Sequence, residues 1–229
     1  MVFVALAAWA CTSPVAPAPT PAATGPSSST GSGRAARLDV LDFIIGSPET
    51  WPRYGGQWQH QVVDSSKRDV CWVKYGNPRM FECWRWDEEW IHHKVDHGID
   101  GETGESYEFT DGRWLPRWIE DSGVWSLDVP GNRVRWFEPD CQLSDSKSRE
   151  QPYRLRAWLE RGRDAGPDLG VRDVLVLEYT PDPGREAPHT ERFQFARGAG
   201  WFSWEDPRKV VRFDRFGGPV RQRAKACGE

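Results

Sequence analysis

The sequence predicts an all-β fold, an antiparallel β-sandwich or β-barrel built from meandering hairpins. Three observations carry this. From residue 38 onward, short runs of alternating apolar and polar residues follow one another, separated by Gly, Asn, Asp and Pro. No segment reads as a long amphipathic helix. The chain also holds 14 Trp, 10 Phe and 5 Tyr in 229 residues, and aromatic residues favour strands. The formal net charge of -4 excludes a global basic field of the kind that binds nucleic acid. An apolar content of 38% excludes a fully disordered chain. No apolar run approaches the roughly 20 residues that a spanning helix needs.

In chain order, residues 1–10 read as a signal peptide and 11–37 as a tether, ahead of a single β domain over 38–229. Val2 to Ala10 is a nine-residue apolar run, too short to span a membrane and the length of a signal-peptide h-region. Thr12 to Gly33 carries Pro at 14, 17, 19, 21 and 26 and no charge before Arg34. Such a stretch buries too little apolar surface to offset its ordering entropy, so a disordered Pro/Ser/Thr/Ala tether is expected. The short apolar run, the small residue Ala10, Cys11 and this tether together resemble the leader of bacterial lipoproteins. The resemblance implies cleavage before Cys11 and lipidation of Cys11. It also implies a cell-envelope location on the extracytoplasmic side, with the membrane as partner through the anchor. Two acyl chains anchor stably where one does not.

Strands are expected at 57–63, 69–76 and 79–86, the last two joined by the turn signal Gly76-Asn77-Pro78. A hairpin centred on Asn77 sets Cys71 opposite Cys83, Val73 opposite Phe81 and Tyr75 opposite Arg79. Directly opposed residues lie about 4.5 Å apart at Cα, within disulfide range. An exported compartment is oxidising, so Cys71–Cys83 is expected, leaving Cys141–Cys227 to tie down the C-terminus. No Cys-x-x-Cys pair suggests zinc. Trp72, Trp84 and Trp86 share one face of this hairpin with Met80. Cys71, Val73, Tyr75, Phe81 and Cys83 share the other, as in a sheet covered on both sides.

Strands follow at 90–96, 105–110 and 113–118, with Asp111-Gly112 as a two-residue hairpin signal between the last two. Strands 123–129 and 132–137 flank Pro130-Gly131, which is expected to turn the chain. Strands 152–159 and 172–180 flank 160–170, which reads as a long loop. Strands 190–196 and 200–205 are joined by Gly198 to Gly200, and 208–214 completes the series. Charge is uneven along these elements. Residues 82–128 hold 13 acids against four bases, and 206–225 hold seven bases against two acids. Solvated faces, mutual pairing of the two segments, and a cation near the acidic one are the readings of this pattern.

Of the 14 Trp, ten fall between Trp51 and Trp136. A rigid indole offers a large apolar face and one N–H donor, which suits stacking on the apolar faces of sugar rings. Trp84, Trp86, Trp114, Trp118 and Trp136 are the candidates for such a platform, against the plainer reading that Trp fills the core. A second candidate is the His/acid-rich stretch from His92 to Tyr107. As a helix, 88–98 would set His93 and His97 on one face one turn apart, metal-ligand spacing without the general base of the metalloprotease motif. As a strand, favoured here, Ile91, His93, Val95 and His97 point one way and His92, Lys94 and Asp96 the other. Asp96, Asp100, Glu102 and Glu105 could then ring a loop and hold calcium through oxygen, without the EF-hand spacing. No nucleophile elbow or phosphate loop is present, and no two carboxyls are singled out for glycoside hydrolysis. The leading expectation is non-enzymatic ligand binding, with glycan the favoured ligand. The alternatives are a polysaccharide-acting hydrolase using carboxylates in 87–108 and a structural module that binds another envelope protein.

Overall fold

The computed structural model describes residues 36–47, 57–99, 101–186, 188–215 and 222–229. The signal peptide, Cys11, the tether up to residue 35 and Asp100 lie outside the described residues, while Arg37, the last tether residue, opens the first strand. In chain order the elements are β1 (Arg37–Asp39), α1 (Leu41–Ile44), β2 (Gln57–Asp64), β3 (Asp69–Lys74), β4 (Met80–Trp86), β5 (Trp90–Gly98), β6 (Ser106–Phe109) and β7 (Arg113–Pro116). They continue as β8 (Trp118–Glu120), β9 (Val124–Phe137), β10 (Arg149–Asp164), β11 (Val171–Pro181), β12 (Glu191–Ala196), β13 (Gly200–Asp206) and β14 (Lys209–Arg215). Twelve strands form one sheet in the order β4-β3-β2-β14-β13-β12-β11-β10-β9-β6-β5-β7. β4 also pairs with β5, so the sheet turns back on itself as a nearly closed barrel. The ladders are antiparallel except where β14 runs parallel to β2 and brings the last strand beside the first strand of the sheet.

The β3–β4 hairpin has the register the turn predicts, with Cys71 opposite Cys83 and Val73 opposite Phe81. Tyr75 and Arg79 belong to the turn itself, where Tyr75 and Gly76 both adopt positive φ. Both disulfides, Cys71–Cys83 and Cys141–Cys227, are formed. The outer face of β3, β4 and β5 is covered by the C-terminal segment. Ala226 packs there with Cys71, Val73, Phe81, Cys83 and Val95, and the Ala224 N–H donates to Pro78 O at 2.8 Å. The hairpin is therefore apolar on both faces because both faces are buried.

Three turns depart from the sequence reading. β6 and β7 do not pair with each other; both lie along β5, as two halves of one interrupted partner. Thr110, Asp111 and Gly112 form the interruption, and the His93 N–H donates to Gly112 O at 2.6 Å. Pro130-Gly131 does not turn the chain. Gln151 pairs with Asn132 and Tyr153 with Val129, so two residues of β9 stand opposite Pro152 alone. That is a bulge, which bends a strand without ending it. Finally, the first part of 160–170 is ribbon, with Arg163 opposite Arg172 and Asp164 opposite Val171, and the loop shrinks to 165–170. Arg161 holds this extension through ion pairs to Asp121 and Asp173, which apolar alternation does not reveal. Its tip brings Ala165 and Leu169 onto the outer face beside Val174, Val176 and Phe202.

The interior core is aromatic, with Trp72, Trp84, Trp114, Tyr153, Phe195 and Trp201 at its centre. The short α1 segment, with no sequence forecast, adds fully buried Val40, Phe43 and Ile44 to this core. Gln61 fastens it: its Oε1 accepts from the Gly46 N–H at 3.0 Å and its Nε2 donates to Ile44 O at 2.8 Å. Gly200, at φ +84, lies so close that a Cβ there would stand 3.0 Å from Gly46 N. Among the described residues, the acidic segment 82–128 pairs with bases elsewhere, such as Lys74, Lys147, Arg154 and Arg161, and not with 206–225.

Candidate ligand site in the barrel lumen

The five candidate Trp do not form an exposed platform. Trp84 and Trp114 are fully enclosed and Trp86 is 9% exposed, so none of the three offers a face to bulk solvent. Their indoles fill the barrel because inward positions of nearby strands bring rings edge to face, Trp84 against Trp114 across β5 at 6.1 Å and Trp72 against Trp84 on adjacent strands at 4.9 Å. Trp118 is 40% exposed, but the guanidinium groups of Arg37 and Arg117 lie over its ring, at 5.9 and 5.5 Å from the ring centre. Trp136 is half-buried and faces the lumen. Of the platform, then, Trp114 and Trp136 line a common space.

That space is a cavity of about 480 Å³ inside the barrel. This is within the range of cavities that enclose small organic ligands. Its aromatic walls include Tyr107, Phe109, Trp114, Trp136, Phe193 and Trp204. Into it project Lys74, Glu82, His93, Asp96 and Glu191. These arrive by strand register: Glu82 of β4 lies opposite Trp72 of β3 and Asp96 of β5, and Asp96 lies opposite Tyr107 of β6. Lys74 Nζ sits 3.5 Å from both Glu82 Oε2 and Asp96 Oδ1. The Trp84 Nε1–H donates to Glu82 Oε1 at 2.8 Å, and the Tyr107 hydroxyl donates to Asp96 Oδ2 at 2.9 Å. Across the lumen the Trp204 Nε1–H donates to Glu191 Oε2 at 3.0 Å.

Burial dominates the titration of this cluster. It pushes the Glu82 carboxyl up to about 7, although the Lys74 ammonium opposes the rise. Burial raises the Glu191 carboxyl and the Tyr107 hydroxyl in the same way. Burial alone would lower Lys74, but the charges of Asp96 and Glu82 outweigh it and hold the ammonium above its ordinary range. Burial lowers His93 to about 3, so its ring is neutral around pH 7.

His93 owes its inward aim to two irregularities. On the β4 side, Cys83 pairs with Val95 and Trp84 with His93, so Lys94 is left over as a bulge. On the other side lies the break at Thr110 to Gly112. The phase of β5 therefore resets between His93 and Val95. His93 and Asp96 face inward, while Val95 and His97 face outward, His97 stacking on Phe81 at 4.9 Å. The single facing expected for Ile91, His93, Val95 and His97 is thus corrected: all four are buried, but on opposite sides of the sheet. The His93 ring packs on Phe109 at 4.4 Å and Trp114 at 4.8 Å. Its Nε2 lies 3.3 Å from Glu82 Oε1 but off the hydrogen-bond direction, and among the described residues neither ring nitrogen has a hydrogen-bond partner. The Trp114 Nε1–H is likewise buried without an acceptor.

The calcium loop is not assembled by these residues. Asp96 is engaged inside the barrel by Lys74 and Tyr107, and Glu105 is engaged on the surface by Lys147 at 2.8 Å. Glu102 is exposed, and Asp100 lies outside the described residues. Among the described residues, no three His, Cys, Asp or Glu converge for a metal. Sequence reasoning missed Lys74, Glu82, Tyr107, Glu191 and Trp204. One signal was available: Glu82 interrupts the apolar face Met80, Trp84 and Trp86, and a polar residue on a buried face needs a partner.

The fold and the site define a class: a nearly closed antiparallel barrel with an aromatic lumen and an enclosed acid–base cluster. Comparison of the chain with protein-family models, with curated proteins and with solved structures finds no match. The two disulfides mark an oxidising, extracytoplasmic environment. Among the described residues no helix is long and apolar enough to cross a membrane.

Proposed function

We propose that this protein is a non-enzymatic binder that takes a sugar ring of a glycan into the barrel lumen. One observation carries the reading: the cavity joins ring-stacking walls to inward carboxyls, and among the described residues the His93 nitrogens and the Trp114 N–H are buried without a hydrogen bond. A buried polar atom without a partner costs about 1–3 kcal/mol, which a ligand hydroxyl would recover. Trp136 and Trp204, both half-buried, are the rings positioned to stack on that ligand. Hydrolysis is less well supported. Glu82 and Asp96 sit side by side on neighbouring strands, tied by one ammonium, and do not oppose each other across a substrate. Titration of short oligosaccharides against intrinsic Trp fluorescence tests the reading. Saturable quenching that Trp136→Ala and Trp204→Ala each weaken at least tenfold is expected, without release of shorter sugars. Unchanged affinity in both variants overturns the stacking site.

The lipid anchor is part of the same proposal. Carriage of the barrel on a tether from lipidated Cys11 would hold it at the extracytoplasmic face of an envelope membrane. Metabolic labelling with an alkyne fatty acid should mark the protein and fail on Cys11→Ala; equal labelling of both removes the anchor.

A further inference from the structure

We infer that the lumen selects sugars bearing a free amino group over their neutral and N-acetylated counterparts. The inference rests on the lumenal reading above and names the ligand class of the same site. The carboxyls of Glu82, Asp96 and Glu191 face the cavity, against one enclosed ammonium, that of Lys74. The other cation of the lining, Lys209, is exposed, its Nζ lying over the Trp204 ring 5.1 Å from the centre. His93 adds no charge, because burial keeps its ring neutral. Lys74 lies between Glu82 and Asp96, so Glu191 is the carboxyl with no enclosed base beside it. Its contacts are the Trp204 N–H at 3.0 Å and His189 Nε2 at 3.5 Å.

The walls suit a cation as well as a sugar ring. Tyr107 and Trp136 lie 4.7 Å apart at their ring centres, tilted by 37°, and Trp204 lines the same cavity. An ammonium within about 6 Å of such faces is attracted by the ring quadrupoles, and more strongly once desolvated. The carboxyls carry the second term: an ammonium beside them favours their ionised form against burial, and charge-assisted hydrogen bonds are about twice as strong as neutral ones. The acidic cluster does not stand alone as evidence of a ligand. His93, with a side chain 6% exposed, and Trp114, 1% exposed, both line the same cavity, and among the described residues neither ring nitrogen of His93 nor the Trp114 N–H has a hydrogen-bond partner, His93 Nε2 lying 3.3 Å from Glu82 Oε1. A neutral imidazole nitrogen accepts from a hydroxyl or ammonium, and an indole N–H donates to a hydroxyl or ring oxygen. Together these groups match a hydroxyl-rich ring with one amino substituent.

Calorimetric titration of the full chain at pH 7 with three β-1,4 disaccharides decides this. The probes are the glucosamine dimer, the N-acetylglucosamine dimer and cellobiose, which differ at the C2 substituent. The glucosamine dimer should bind at least tenfold more tightly than the other two, and 0.5 M salt should shrink that margin. Glu191→Gln should bring the ratio towards one. Equal affinity for all three overturns the amino-sugar preference and leaves the lumenal site standing. Tighter binding of either neutral disaccharide does the same. Binding of none of them overturns the sugar reading and this inference with it.

Discussion

At the scale of the residue, the same side-chain type takes different roles according to whether it stands inside the barrel or on the small β1–β8 sheet. Trp84 donates its N–H to Glu82 and contacts Trp72, Trp114 and Phe195, while two arginines lie over the Trp118 ring near solvent. Trp84→Ala should therefore cost about 3–5 kcal/mol in urea unfolding, and Trp118→Ala about 1 kcal/mol or less. Equal losses would show that the described core is wrong. Glu82 gives a pH prediction. Its carboxyl titrates near 4.5 when unfolded and is raised to about 7 in the fold, chiefly by burial. Between those values the native state holds a proton that the unfolded state has released, so this group's contribution to stability falls as pH rises from about 4.5 to about 7. Glu82→Gln removes that slope. The Tm of the parent minus that of the variant should be larger at pH 5 than at pH 8, measured by calorimetry. His93 acts in the opposite sense. With its pKa lowered from 6.5 to about 3 by burial, it costs stability as pH falls through that window.

At the scale of the element, the site depends on interruptions of regular strands. Glu82, Trp84 and Trp86 share a face by simple alternation, and the hairpin that carries them is legible because Gly76-Asn77-Pro78 fixes its register. The next strand is not legible in the same way. A strand's period of two assigns faces only until a bulge shifts the phase, and β5 has one at Lys94. Gly112 belongs to the irregularity on its other edge. It sits at φ +58, and a Cβ there would meet His93 O at 2.0 Å. Gly112→Ala should destabilise the protein by about 2 kcal/mol or more and also weaken ligand binding, because the clash falls on the backbone of His93. Full stability in urea for that variant would disprove the close approach. Asp111-Gly112 shows why a turn dipeptide can mislead. It signals local φ preferences, and here those preferences serve a break between two collinear strands.

At the scale of the whole molecule, closure of the sheet places residues from distant strands around one space. Asp96 and Glu191 line the same cavity although their strands, β5 and β12, are not neighbours in the sheet. The Cys141–Cys227 bond fastens the strap that covers the outer face of β3 to β5. Its partners lie 86 residues apart in sequence, so replacing both cysteines by Ser should cost about 2–4 kcal/mol. The measured midpoint in urea should fall accordingly; no change would mean that the strap is held by packing alone.

By itself the sequence determined the all-β class, most of the strands, the Asn77 hairpin and the Cys71–Cys83 pair, and left Cys141–Cys227 as the remaining pair. All but the last follow from local rules: alternation, turn chemistry and the short reach between opposed cysteines. Only the tertiary structure decided that the sheet closes, that Trp84, Trp86 and Trp114 are core, and that Lys74, Glu82, Asp96 and Glu191 share a lumen. The physical reason is that alternation separates the two faces of a strand without saying which is inside. In this molecule the outer face of β3 to β5 is buried too, by the C-terminal strap, so apolar character marks both sides alike.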